Sequence, residues 1–411
     1  MTAALQLSIV NFHKGAYIIV EGKANADHFF IIRGGKVRVS KEVEVVEEEG
    51  GNTLGPGDFF GVVSTMSSHS HIETAQAVTD VSLISVHREQ YGMLIERNAP
   101  VAMKIIESFS RRMRYLDEAL ARLTLKSDAN DGGIGHLFGV AEYYARQSMY
   151  NQAYYAYYQY LKHCPDGEHV AAARERLARI KPYATAVRLD GDENVFTRSF
   201  PRDTMVFSES MPGKEMYIIQ KGSVKITKIV NDNEVLLAVL RQGDMFGEMS
   251  LIESKPRSAS AIAYEDAVLL AVNRENFVRM VQSQPQIIAR LTTTLAERIW
   301  FVYKQLANTL LSSPVGRMYD ALLIQLERAR VHIRPGEPYT FDFGTRELIN
   351  MVGLPAHEGN EAIKEMLKNT RISAVENKIY VTDIAEVEKQ AKYYRKMGRI
   401  EKSRREQRRI G

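Results

Sequence analysis

Residues 246–259 read Phe246-Gly247-Glu248-Met249-Ser250-Leu251-Ile252-Glu253-Ser254-Lys255-Pro256-Arg257-Ser258-Ala259. A Gly-Glu pair is followed, nine residues after the Glu, by an Arg and then by two small residues. That set can hold a compact anionic ligand. Glu248 can accept hydrogen bonds from a sugar hydroxyl. The planar guanidinium of Arg257 can fork onto phosphate oxygens, which a Lys does less well. Met249–Ile252 reads as one helical turn whose free N–H groups point at the same anion. The pattern alone also fits a surface loop in which Glu248 and Arg257 pair with each other, so the flanking sequence decides.

The flanks contain the same scaffold twice. Gly57-Asp58-Phe59-Phe60-Gly61 answers to Gly243-Asp244-Met245-Phe246-Gly247, Phe30-Ile31-Ile32 to Tyr217-Ile218-Ile219, and Tyr17-Ile18-Ile19-Val20 to Met205-Val206-Phe207. From Gly61 to Tyr91 the copies run without a gap at an offset of 186. One domain therefore occurs twice. Short apolar strands between turns such as Gly34-Gly35 and Leu54-Gly55-Pro56-Gly57-Asp58 predict a small β-barrel or jelly roll. After the first barrel, Val101, Ile105, Phe109, Met113, Leu116 and Leu120 recur at helical spacing. In the first copy Val62 stands for Glu248, His71 for Arg257, Ile72 for Ser258 and Glu73 for Ala259. An acceptor is lost, a guanidinium becomes a mostly neutral imidazole, and a carboxylate that repels anions is added. This copy is expected to be degenerate for the ligand of the second, which leaves it to bind another ligand or to serve only as a packing or dimer surface. His69 and His71 lack a third ligand and read as an exposed polar loop rather than a metal site.

Residues 246–259 resemble the phosphate-binding cassette of cyclic-nucleotide-binding domains. From residue 196 to about 385, roughly half the chain, the sequence resembles the catabolite-activator (cyclic-AMP-receptor) family of bacterial transcription regulators. The most specific part runs from Gly247 through Arg257-Ser258-Ala259 and Asn276-Phe277 to Val315-Gly316-Arg317. The resemblance implies that Glu248 holds a ribose 2′-hydroxyl and that Arg257 and Ser258 hold the cyclic phosphate. Backbone amides near Gly247 and Ala259 would assist, with Met249 in the same cassette. Arg298 falls where the family has an Arg near the pocket. The family's hydroxyl pair that reads adenine falls on Val302 and Tyr303. Val302 cannot hydrogen-bond a base, whereas Tyr303 can stack or donate one bond. Cyclic AMP and cyclic GMP both stay open as the ligand, and no further cofactor is implied.

Ile288, Leu291, Leu295, Ile299, Val302, Leu306 and Leu310 form a continuous apolar stripe over 285–311. In the family such a helix dimerises and caps the base, so a homodimer is expected. The alternatives are a helix packed on its own barrel, or one for which the tetratricopeptide-like segment or the first copy takes the partner's place. Between the copies, Ala141, Tyr144, Tyr150, Ala153, Tyr157 and Pro165 match the spacing of a tetratricopeptide repeat. A single repeat cannot bury its faces alone and must pack on a neighbouring domain or subunit. Its tyrosine-rich face is either a dock for a protein partner or part of an interdomain spacer. At the C-terminal end, Pro314 and Gly316 mark a hinge. A helix over Thr345–Met351, the turn Gly353-Leu354-Pro355, a helix over His357–Asn369 and a hairpin over 372–381 predict a winged helix-turn-helix, as in the same family. Ala356 and His357 stand where the family often has Arg and Glu. Glu358 and Glu361 oppose phosphates. Asn360 can read adenine and His357 can touch a phosphate, with Lys364, Lys368 and Lys378 as backbone contacts. Double-stranded DNA is the expected partner.

At 411 residues the chain exceeds one core, and 45% apolar with 25% charged residues fits a soluble globular protein. No apolar run approaches the ~18 residues of a membrane span. The start lacks a signal-peptide pattern, and Cys164 is the only cysteine, so a cytoplasmic protein is expected. Residues 389–411 hold ten Lys/Arg against Glu401 and Glu406, a balance of +8, which leaves −4 for the rest of a chain of net charge +4. Phosphate loops, paired-His metal motifs and nucleophile elbows are missing, which argues against an enzyme. The expected fold is multidomain α+β. It comprises a degenerate cyclic-nucleotide-binding-like jelly roll at 1–128, a tetratricopeptide-like linker at 134–185 and a second jelly roll with its long helix at 186–311. A winged helix at 312–388 and a basic tail at 389–411 complete it. The expected function is a cyclic-nucleotide-sensing regulator of transcription. The alternative is a nucleotide-responsive interaction or scaffold protein whose winged helix no longer reads DNA.

Overall fold

A computed structural model describes residues 7–24, 26–41, 52–125, 133–189, 195–230 and 233–410. Residues 1–6 and the boundary loop at 127–132 lie outside the described residues.

Each copy folds as two four-stranded antiparallel sheets. In the second copy one sheet runs Met205–Phe207, Ser260–Ala263, Val224–Val230, Asn233–Leu240, and the other Met245–Phe246, Glu215–Lys221, Ala267–Asn273, Thr197–Phe200. The first copy repeats both orders, with Tyr17–Ile19, Thr74–Ala77, Val37–Ser40, Thr53–Leu54 in one sheet and Phe59–Phe60, His28–Gly34, Val81–His87, Ser8–Phe12 in the other. Apolar side chains of the strands fill the space between the sheets, as in a jelly roll. Register repeats too. Tyr217 faces Phe246 as Phe30 faces Phe60, and Phe207 faces Ala261 as Ile19 faces Ala75. By that register Glu209, two residues past Phe207, answers to Glu21.

The chain forms two compact units, and neither is a contiguous stretch. One comprises residues 1–8, 85–118 and 127–296, the other 9–84, 119–126 and 297–411.

The first unit holds the second barrel and the linker helices His136–Arg146, Tyr150–His163 and Val170–Ile180. The linker packs on the barrel. Tyr143 Oη accepts the Glu234 N–H at 3.0 Å, Tyr155 Oη donates to the Val206 carbonyl at 3.2 Å, and Gln152 Nε2 donates to the Asp203 carbonyl at 2.9 Å. Met205, Ile229 and Ile262 of the barrel share one apolar core with the tyrosines. Tyr144, Tyr157 and Tyr160 are buried there. Much of the aromatic face expected to be open to a protein partner is therefore covered by the second barrel.

The second unit holds the first barrel and everything from residue 297 on. Its C-terminal part comprises the helix Pro314–Arg328, a three-stranded sheet of Tyr339–Phe341, Lys378–Val381 and Ile372–Val375, and the helices Thr345–Met351 and Ala356–Met366 around one core. A single helix, Ile384–Ile410, then crosses the boundary expected at 388/389. It is fastened to the hinge. Arg395 Nε donates to buried Asp320, which also accepts from Asn308 Nδ2 at 2.9 Å. Tyr394 lies so close that a Cβ on Gly316 would stand 2.8 Å from its Cβ.

The long helix Pro285–Thr309 buries Ile288, Leu291, Leu295, Ile299, Val302 and Leu306 within one chain, leaving Leu310 exposed beyond its end. The stripe expected to drive homodimerisation is thus already covered.

Candidate functional site

In the second copy the strand Met245–Phe246 ends at Gly247, whose φ of 79° is a left-handed conformation that glycine adopts without strain. The helix Glu248–Glu253 follows, and Ser254 turns the chain back toward the strand Ser260–Ala263. This short excursion carries Glu248, Ser250 and Arg257 into the interior, where each is buried. Burial of both Glu248 and Arg257 removes the surface-loop reading.

Arg257 is the centre of the site. Nη1 donates to the Gly247 carbonyl and to Ser250 Oγ, both at 2.6 Å, and Nη2 donates to the Glu215 carbonyl at 2.6 Å. Its guanidinium carbon lies 4.0 Å from the centre of the Phe207 ring. These acceptors are neutral. The Glu215 carboxylate is held instead by Arg198, through bonds of 2.6 and 2.8 Å. Nε of Arg257 is buried and has no hydrogen-bond partner among the described residues. Burial pulls its pKa below the ordinary guanidinium value, while Tyr217, Tyr155, Glu248 and Glu215 pull the other way. A buried cation with neutral acceptors and an unused donor favours an incoming anion. A Cβ on Gly213 would stand 2.6 Å from Nε, so this close approach requires glycine.

Met249 Sδ accepts from Ser258 Oγ at 3.7 Å, and Ala259 is buried beside the strand it opens. Gly247, Glu248, Met249, Arg257, Ser258 and Ala259 are therefore gathered in one cassette. A cavity of about 620 Å³ opens beside it, lined by Gly213, Lys214, Ser250, Lys255 and Arg274 among others. Beneath the cassette lies Glu209, fully buried. Its N–H donates to Ser260 Oγ at 3.0 Å and its Oε1 accepts the Ile229 N–H at 2.9 Å. Burial pushes its pKa up to about 7, against the pull of the Ile229 amide and Lys228.

Arg298 and Tyr303 are placed in the other unit. Instead of the base contact expected of it, Tyr303 donates its hydroxyl to Glu21 Oε1 of the first copy at 2.9 Å, and it is buried there. Arg298 is half-buried on the same helix. The helix that reaches the second cassette is the one after the first barrel, Ala99–Leu125. Ser110 Oγ and Arg114 Nε donate to the two Glu253 oxygens, each at 2.9 Å, and Arg114 Nη1 donates to the Pro256 carbonyl at 3.0 Å. The exchange is reciprocal. Trp300 Nε1 donates to the Ser70 carbonyl at 3.2 Å. Arg114 and Trp300, like Ser70 and Pro256, are 186 residues apart, the offset of the repeat. Residue 117, at the same offset from Tyr303, is a buried Asp. The offset was the available signal for Ser110, Arg114 and Asp117, once extended past Tyr91.

In the C-terminal part His357 and Asn360 lie exposed on the helix Ala356–Met366, and Lys364, Lys368 and Lys378 are exposed as well. Lys364 donates to Glu361 and Lys378 to Asp342, each at 2.8 Å, and Lys368 donates to Glu365.

The family model of the cyclic nucleotide-binding domain matches residues 9–98 and 197–284. A CRP-like cAMP-activated global transcriptional regulator of Mycobacterium tuberculosis is 27% identical over 194 residues, 47% of this chain and 87% of that protein. The cyclic AMP receptor protein of Thermus thermophilus is 35% identical over 103 residues, 25% of this chain and 48% of its own. A cAMP-dependent protein kinase regulatory subunit of Aspergillus niger is 23% identical over 284 residues, 67% of this chain and 53% of its own. Among the described residues no helix is long and apolar enough to cross a membrane.

Proposed function

Because this chain carries two copies of the cyclic nucleotide-binding domain, we propose that it is a cyclic-nucleotide-sensing regulator of transcription that takes its ligand in the second copy. The observation that carries this reading is the buried guanidinium of Arg257, with neutral acceptors and an unused Nε–H. Glu248 receives the ribose hydroxyl. Arg257 and Ser258 receive the cyclic phosphate, and the ligand draws Arg257 away from the Gly247 carbonyl. Cyclic AMP is favoured over cyclic GMP because the relatives' names specify it. The ligand acts only through a difference in affinity between two arrangements of the chain. The C-terminal part acts as a winged helix on double-stranded DNA through His357, Asn360, Lys364, Lys368 and Lys378.

Calorimetry on the full chain tests the ligand. One equivalent of nucleotide is expected, and Arg257→Ala is expected to lose it. An Arg257→Ala chain that binds as the unaltered chain does would sink the reading.

A second reading is an interaction protein that responds to the nucleotide without reading DNA. The helix Ala356–Met366 holds three Glu to one Lys, and Lys364, Lys368 and Lys378 each pair with a carboxylate of their own module. DNA retention on a salt gradient separates the two. Regulation of transcription predicts nucleotide-dependent retention that weakens steeply with salt, by a slope of about −0.9 per phosphate neutralised. Truncation after residue 401 removes Lys402, Arg404, Arg405, Arg408 and Arg409 and is expected to flatten that slope. If duplex DNA is ignored at low salt with nucleotide present, the interaction reading stands.

A further inference from the structure

The first cassette repeats the backbone of the second. Gly61 and Gly247 take φ of 80° and 79°. The helices Val62–Ser67 and Glu248–Glu253 each have six residues, and Ser68 and Ser254 follow them at φ of 57° and 56°. The side chains differ in kind. Glu73, at the position of Ala259, is buried, and its Oε1 accepts the N–H of Gly61 at 2.7 Å. Ser64 Oγ accepts the Ile72 N–H at 3.2 Å, and His71, at the position of Arg257, is buried beside them. The loop from Gly61 to Glu73 is thus closed on itself, with an anion of its own on the amide that opens the cassette.

The outer part of this loop receives the long helix. The Trp300 ring stacks on His69 at 4.0 Å between centroids while its N–H reaches the Ser70 carbonyl. Arg330 Nη2 donates to the Ser67 carbonyl at 3.3 Å and to Glu297 Oε1 at 2.9 Å. Tyr303 closes the far side on Glu21. His69 is therefore half-buried rather than on an exposed loop. Burial, then Arg330 and Lys304, lower its pKa to about 4, so the ring stacked on Trp300 is neutral near pH 7.

We propose that the first copy takes no cyclic nucleotide and serves as the seat of the long helix, with the Glu73 carboxylate filling from within the place of a ligand's anion. A cyclic phosphate entering here would meet a buried carboxylate of like charge. His71 stands where the second copy has the guanidinium of Arg257, and Val62 offers no acceptor for a ribose hydroxyl. What the copy binds is a helix of its own chain, through a buried indole whose N–H is satisfied. The inference goes beyond the ligand reading of the second copy and does not depend on it.

Trp300 is the only tryptophan of the chain, so its emission reports on the seat. In the full chain, Glu73→Ala is expected to shift that emission to longer wavelength. Acetate is expected to shift it back by replacing the carboxylate on the Gly61 amide, and chloride at equal ionic strength is not. Calorimetry of the unaltered chain with cyclic AMP and with cyclic GMP is expected to show no more than one equivalent bound. A Glu73→Ala emission equal to that of the unaltered chain overturns the proposal. So does an unaltered chain that takes two equivalents of either nucleotide, and this arm decides alone should Glu73→Ala fail to fold. Absence of nucleotide binding by the unaltered chain would count against the function proposed above while leaving the emission arm intact.

Discussion

Glu209 carries a buried carboxyl with one amide donor, the Ile229 N–H, and its pKa rises to about 7. In the unfolded chain it releases its proton near 4.5. Between those values the folded state holds the extra proton, so stability falls as pH rises through this window and stays low above it. Glu209→Gln keeps an acceptor for the Ile229 N–H and removes the charge. Its unfolding free energy is expected to exceed that of the unaltered chain above pH 7 by on the order of 3 kcal/mol, and the two are expected to converge below pH 4.5. A gap that does not change with pH would show that shape, not charge, is at issue. Glu209 shows a limit of reading residues singly. Glu248 and Arg257 were legible because their chemistry is unusual at a fixed spacing beside a glycine. Glu209 has an ordinary sequence context, and only burial between the sheets gives it its chemistry. The contact of Tyr303 is not legible in the sequence for a related reason: spacing gives its face on the helix, not which barrel the face meets.

At the scale of elements, strands and helices were legible from turns and periodicity, and the repeat gave both jelly rolls at once. The partner of each long helix was not. An apolar stripe records that a helix is buried, and the same stripe fits another subunit, its own barrel or the other copy. The clasp on the second cassette shows which was chosen. The Arg114 and Glu253 side chains are 13% and 5% exposed, so removing one leaves the other charged and buried. Arg114→Ala is expected to destabilise the chain by about 3 kcal/mol, and Arg114→Met with Glu253→Gln to recover most of it. Thermal unfolding of the two variants checks this. Equal losses in both would assign the effect to packing of the Arg114 stem rather than to its charge.

For the whole molecule, the order of domains along the sequence is not the order in which the chain packs. A reading from one end to the other places a barrel, a linker, a second barrel and a C-terminal module in series. Both compact units draw instead on residues from before and after the linker, because residues 85–118 join the second barrel and residues from 297 on join the first. Contacts such as Glu21 with Tyr303 close 282 residues of chain, a separation that slows folding relative to local pairing. The C-terminal helix adds to this by fastening Arg395 to Asp320.

The exchanged helices also determine what happens when the backbone is cut. A nick near residue 130 separates two fragments by sequence, yet each fragment supplies part of both compact units. Neither fragment can complete a unit alone, and together they hold every contact described above. Residues 1–130 and 131–411 produced as separate polypeptides are therefore expected to recover one stable complex on mixing, recognisable on size exclusion and by the buried emission of Trp300. Fragments that each remain soluble, monomeric and folded apart would contradict it. The same interleaving means that a second barrel cut out at residue 186 lacks Ser110 and Arg114, so an affinity measured on that piece is the affinity of an unclasped cassette.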